Sequence, residues 1–342
     1  MDKELIIKEI KSQLTGNRLK DYHFLKNKLE ELAKDPETIG IARELTPLMM
    51  DVIRPDEIEA IKVQMKKEIS NREALFAKAE ALYKEQKFEN AKVVLDKICS
   101  QLTGLFEDTE TYHYVNIEEA FSFQLYTNLM YKEQKIIRIT PDHMYKYNYL
   151  RGVVDVKLGL LDEAEEAFYI ALRWFPNAFP VLLELANIAM VKKDLDKVPS
   201  LIAEAQKYCF VPSELARCFR AAGYYGFLKE DYRLAMAGYL TSTIFDQTTD
   251  IKKELTMAAQ NLGQTEFKPL TPDESKKELE KIGLIFGGNV EIIKMAIALS
   301  REFASRKNYQ TAIYFMQVAY NLTRDDNIKA GLEELVNLSK TN

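Results

Sequence analysis

Apolar residues recur at intervals of three and four along most of the chain, the period that gathers them on one face of an α-helix. Strict alternation of apolar and polar positions, the mark of a half-buried strand, is confined to one short run, Lys135–Thr140. Signals for helix starts punctuate the periodic stretches. Asp35-Pro36-Glu37-Thr38, Thr140-Pro141-Asp142 and Thr271-Pro272-Asp273-Glu274 each place a capping side chain before a proline, whose missing N–H is harmless in a first helical turn. Glu274 completes a capping box with Thr271, and Ser70-Asn71-Arg72-Glu73 has the same form. The pattern predicts an all-α chain.

The helical stretches repeat. Counting from Gly152, residues Gly159, Leu161, Ala164, Phe168, Ala171 and Pro176 follow at +7, +9, +12, +16, +19 and +24. The offsets +9, +12, +16 and +19 return from Ala79 as Phe88, Ala91, Leu95 and Ile98, and from Ala186 as Leu195, Val198, Ile202 and Ala205. From Gly223 they give Tyr232, Ala235, Tyr239 and Ser242, and from Ser300 they give Tyr309, Ala312, Met316 and Ala319. This small–large–small pattern resembles the tetratricopeptide repeat (TPR), a helix-turn-helix unit of about 34 residues. The resemblance covers roughly residues 71–323 and implies a right-handed α-solenoid.

On this register the repeats fall near 72–105, 145–178, 179–212, 216–249 and 293–325, with a degenerate one over 250–284. The helices of the degenerate repeat are expected near Asp250–Gly263 and Thr271–Ile282. An irregular Tyr-rich helix is expected over 116–133, with the extended run Lys135–Thr140 passing back along it to restore the up–down alternation. Residues 1–70 match no register and read as an N-terminal helical cap or bundle. Residues 326–342 read as a C-terminal capping helix with Ile328, Leu332, Leu335 and Leu338 on one side, as the open end of a solenoid requires.

Composition narrows the choice of function. Gly and Pro number 13 and 10 in 342 residues, roughly half their usual share, which disfavours barrels, sandwiches and Gly-rich nucleotide folds. A net charge of −5 argues against a nucleic-acid binder. Cys99, Cys209 and Cys218, an odd and unpaired set, suit a reducing compartment. Early charges interrupt the N-terminal run, and the most apolar stretch, Ala178–Met190, contains Pro180, Glu184 and Asn187. A cytoplasmic location, with no membrane association, is expected.

No phosphate loop occurs, and Gly283–Gly288 reads as a helix-terminating turn. His23, His113 and His143 have no metal or catalytic spacing, and Cys209 and Cys218 read as small buried hydrophobes. Asp162–Glu166 is an acidic helix start. No catalytic residue, metal or cofactor is assigned.

The resemblance implies a concave groove lined by the first helix of each repeat. It places Phe76, Glu80, Tyr83 and Lys84 there, then Tyr149, Val153, Val156 and Lys157. Leu183, Asn187, Met190 and Val191 follow, then Arg220, Tyr224, Phe227 and Leu228, and finally Ile297, Arg301, Ala304 and Ser305. Phe76 and Glu80 replace the Lys and Asn that family members use to clamp an acidic chaperone tail. The lining is aromatic and apolar with scattered cations, which suits a protein or peptide partner, an amphipathic helix among them. Arg220 with Tyr224 and Phe227 is the leading cluster. The expected function is that of a non-catalytic adaptor or scaffold. The alternative is an intracellular peptide-responsive regulator with an N-terminal docking module. A third reading is an enzyme with a site in the 112–149 region, around His113 and His143.

Overall fold

The computed structural model describes residues 3–16, 18–33, 38–52, 55–103, 105–106, 108, 112–247 and 250–341. Asp35–Glu37 of the first predicted cap and the His23 side chain lie outside them. Among the described residues the chain forms seventeen α-helices, one π-helical turn and two short strands. No helix among them is long and apolar enough to cross a membrane. The chain divides into two compact units, the first made of Met1–Asn116 and Glu133–Tyr147, the second of Ile117–Lys132 and Asn148–Asn342.

The first unit opens with α1 (Lys3–Ser12), α2 (Arg18–Leu32) and α3 (Ile39–Val52), which close around Ile10, Leu25, Ile41 and Leu45. Helix α4 (Pro55–Lys84) then runs unbroken for 30 residues and packs on α5 (Phe88–Leu102). The start predicted at Ser70–Glu73 is therefore not used. The residues before it are mostly strong helix formers, and a capping side chain acts only where the preceding backbone leaves the helix. The expected division after residue 70 falls inside α4.

Arg72, from the unused cap, instead makes a buried two-pronged bond to Asp142, Nε to Oδ1 at 2.9 Å and Nη2 to Oδ2 at 2.8 Å. That pairing moves the next helix. Thr140 does not cap it; its hydroxyl donates to the Asp142 carbonyl at 3.0 Å, and α7 (Met144–Lys157) begins later. Asn116 supplies the cap, its Oδ1 accepting from the Tyr145 N–H at 3.0 Å. The run Ile136–Ile139 is a strand (β2), but it does not lie alone. It pairs in parallel with Tyr112–Val115 (β1), a strand the alternation did not reveal. Parallel strands need a crossover of about a dozen residues or more, and residues 116–135 provide it.

The second unit begins with that crossover. The expected 116–133 helix is shorter: α6 (Ala120–Leu125) continues as a π-helical turn, Tyr126–Met130. The Glu119 carboxylate caps it, accepting from the Phe121 and Ser122 amides. Phe121 is buried in the unit's core, 5.1 Å from the Phe210 ring and 5.2 Å from Phe315.

The remaining helices are α8 (Leu161–Trp174), α9 (Phe179–Val191), α10 (Val198–Gln206), α11 (Pro212–Leu228) and α12 (Tyr232–Phe245). They are followed by α13 (Lys252–Asn261), α14 (Pro272–Glu280), α15 (Val290–Ser305), α16 (Tyr309–Thr323) and α17 (Asp326–Thr341). Helices α13 and α14 both rest on α12, and the predicted Thr271–Glu274 capping box opens α14. Of the apolar side of α17, Leu332 and Leu335 are buried, whereas Leu338 stays exposed.

One backbone feature recurs at the same place in five helix pairs. The residue seven positions after each register's small residue is left-handed: Gln86 (φ 59°), Gly159 (75°), Lys193 (62°), Glu230 (57°) and Lys307 (58°). Around each, the amide of the next residue bonds to the carbonyl five residues back, as in Lys87 to Leu82 and Asp231 to Gly226, both at 2.9 Å. These are Schellman ends, which satisfy the last carbonyls of the helix and reverse the chain. The packing repeats with them. A Cβ on Gly152 would sit 2.6 Å from the Phe168 ring, and one on Gly223 would sit 2.7 Å from the Tyr239 ring, sixteen residues on in both cases.

Candidate functional site

A pocket of about 360 Å³ opens in the second unit. Its walls come from α9 (Leu183, Asn187, Met190), from α11 (Arg217, Arg220, Ala221, Tyr224) and from the start of α13 (Asp250, Ile251, Glu254), with Tyr239 of α12 below. The spacings 183, 187, 190 and 217, 220, 221, 224 are those of one helical face. Tyr224 is 50% exposed, while Leu183 and Met190 are buried beside it. A protruding aromatic over an apolar floor is the arrangement that anchors a partner's side chain.

The electrostatics are mixed. Arg220 donates from Nη1 to Asp246 Oδ2 at 3.2 Å. Arg217 stacks over Phe179, 5.2 Å from the ring centre, with its Nη2 3.8 Å from Glu184 Oε1. Asp250 Oδ1 accepts from the Lys252 amide at 3.1 Å. Glu254 keeps Oε2 out of solvent with no hydrogen-bond partner. The Tyr239 hydroxyl is pushed up to about 12, first by burial and then by the charge of Glu254.

Of the residues singled out from the pattern, Asn187, Met190, Arg220 and Tyr224 meet at this pocket. Phe227 does not: its ring lies 6.0 Å from both Tyr232 and Tyr239, inside the α11–α12 packing. Tyr149 packs on Phe168 at 5.9 Å, and Val156 is half-buried. Phe76 and Tyr83 belong to the first unit, where they pack on Tyr147 at 5.0 Å and Phe88 at 5.7 Å. The last groove set, Ile297, Arg301 and Ala304, faces α17 across an apolar recess of about 470 Å³.

Asp250 and Glu254 were not found from the pattern, yet a signal for them exists. Gly263 is left-handed (φ 71°) and ends α13 with the same hydrogen bonds as the five turns above. Counting back thirteen and nine residues from Glu230 gives Arg217 and Ala221, and the same count from Gly263 gives Asp250 and Glu254.

His113 and His143 engage separate carboxylates. His113 Nδ1 lies 2.5 Å from Asp108 Oδ2, and His143 Nε2 lies 3.6 Å from Glu73 Oε1. Near His143 the Tyr147 hydroxyl is buried without a hydrogen-bond partner and pushed up to about 12, chiefly by burial. Cys209 and Cys218 are buried free thiols with their sulfurs 3.7 Å apart. Among the described residues no group of three or more His, Cys, Asp or Glu is placed to hold a metal ion. Comparison with known proteins finds no matching family model and no matching curated protein.

Proposed function

We propose that this chain is a non-catalytic adaptor of the TPR-like class, a right-handed α-solenoid that binds a protein or peptide segment through its second unit. The observation that carries the reading is the convergence of Asn187, Met190, Arg220 and Tyr224, from two successive first helices, on one open pocket. The five Schellman turns at a common offset support the repeat assignment. Exposed Tyr224 beside an apolar floor supports a side-chain anchor rather than a reacting group. The reading places the protein in a reducing, cytoplasmic compartment, in keeping with its free thiols.

Selection of random twelve-residue peptides on the full chain tests it. Related peptides should emerge, and Tyr224→Ala should weaken their binding by about tenfold or more, as loss of an aromatic hot spot does. Failure of any peptide family to emerge, or binding unaffected by Tyr224→Ala, would overturn the proposal.

A further inference from the structure

The charges around the pocket do not cancel. Arg220 is matched by Asp246, and Arg217 by Glu184 and the face of Phe179. On the opposite wall Asp250 and Glu254 stand four residues apart, and among the described residues neither has a basic group within ion-pair distance. A helix start favours acidic side chains, and that accounts for Asp250, whose carboxylate takes the Lys252 amide. It does not account for Glu254. Glu254 is half-buried; its Oε2 is shut away from water and accepts nothing, and a carboxylate oxygen held out of water without a donor is costly. A donor brought in from outside would remove that cost.

We infer that the pocket takes a peptide carrying a lysine or arginine that meets Glu254 and Asp250, next to an apolar side chain seated on Leu183, Met190 and Tyr224. The inference rests on the peptide-binding reading above and adds the sign of the partner's charge. The same charges disfavour an acidic segment: Arg220 already holds Asp246, Arg217 lies 3.8 Å from Glu184, and the segment would bring a further negative charge against Asp250 and Glu254.

The test uses the full chain and two N-acetylated, C-amidated twelve-residue peptides with identical leucine positions. One has lysine at every ionisable position and the other glutamate. Isothermal titration should give at least tenfold tighter binding of the lysine peptide. Glu254→Gln should weaken that binding fivefold or more, and Asp250→Asn should weaken it in the same direction. Glu266→Gln removes the same charge from an exposed site outside the pocket and should change binding less than twofold. A thermal melt of each variant checks that it is folded. Equal lysine-peptide affinity in wild type and Glu254→Gln, or tighter binding of the glutamate peptide, would overturn the inference while leaving a peptide site in place. Absence of binding by either peptide, or binding unaffected by Tyr224→Ala, would overturn the peptide-binding reading and the inference with it.

Discussion

Two buried polar residues in the first unit behave in opposite ways. Asp142 is almost wholly buried and matched on both oxygens by Arg72. Asp142→Asn leaves a guanidinium buried without its counter-charge and should lower unfolding free energy by about 3–5 kcal/mol, read from urea titration. Replacing both partners by apolar residues should recover much of the loss. Tyr147 carries a buried hydroxyl that bonds to nothing. Tyr147→Phe should therefore be neutral or stabilising by about 1 kcal/mol near pH 7. Its pKa of about 12 when folded exceeds the ordinary value of 10.0, so the unfolded chain ionises first. That part of the stability is intact below pH 10 and drains away as the pH rises toward 12. Urea midpoints measured at rising pH should fall less steeply in Tyr147→Phe.

The helix pairs make predictions of their own. Lys193 and Glu230 are left-handed without being glycine, which costs about 1–2 kcal/mol each. Lys193→Gly should gain about 0.5–1 kcal/mol once the greater freedom of unfolded glycine is subtracted, seen as a raised thermal midpoint. Gly238 is the reverse case. A Cβ there would lie 2.5 Å from the Gly223 nitrogen and 2.6 Å from the Phe219 carbonyl oxygen. An ordinary helical Gly→Ala change gains about 1 kcal/mol, but Gly238→Ala should lose about 1–3 kcal/mol, because backbone cannot move aside as a side chain can. The helices were legible because burial imposes their period, and Ala91, Ala164, Val198, Ala235 and Ala312 are all fully buried at +12. The turns were hidden, since only Gly159 among the five left-handed residues announces itself by type. Strand β1 was hidden as well: four residues of Tyr-His-Tyr-Val acquire meaning only from β2, which arrives two dozen positions later.

For the whole molecule, the site was half legible. Leu183, Asn187, Met190, Arg220 and Tyr224 lie where the repeat resemblance implies a groove, but the acidic wall opens a helix that lacks the small residue from which the other registers are counted, and only its left-handed Gly263 marks the place. Phe227 was misplaced because an aromatic at helical spacing serves either face, and Tyr239 claims it. The two units are also interleaved in sequence, with the chain passing between them after residues 116, 132 and 147. A fragment covering 148–342 lacks Phe121, so Phe210 and Phe315 lose their neighbour. It should melt lower than the same fragment fused to 117–132, and equal melting would show that α6 contributes nothing to that core.

Interleaving also has a consequence in time. During synthesis Phe121 leaves the ribosome 194 residues ahead of Phe315, one of the rings that encloses it. At about 5–20 residues per second that is a wait of roughly 10–40 s before that ring contact can form. Arg72 waits a shorter interval for Asp142, 70 residues behind it. A nascent chain paused between residues 147 and 315 holds the whole of the first unit but only part of the second, and α6 waits for part of its core while the first unit is already closed.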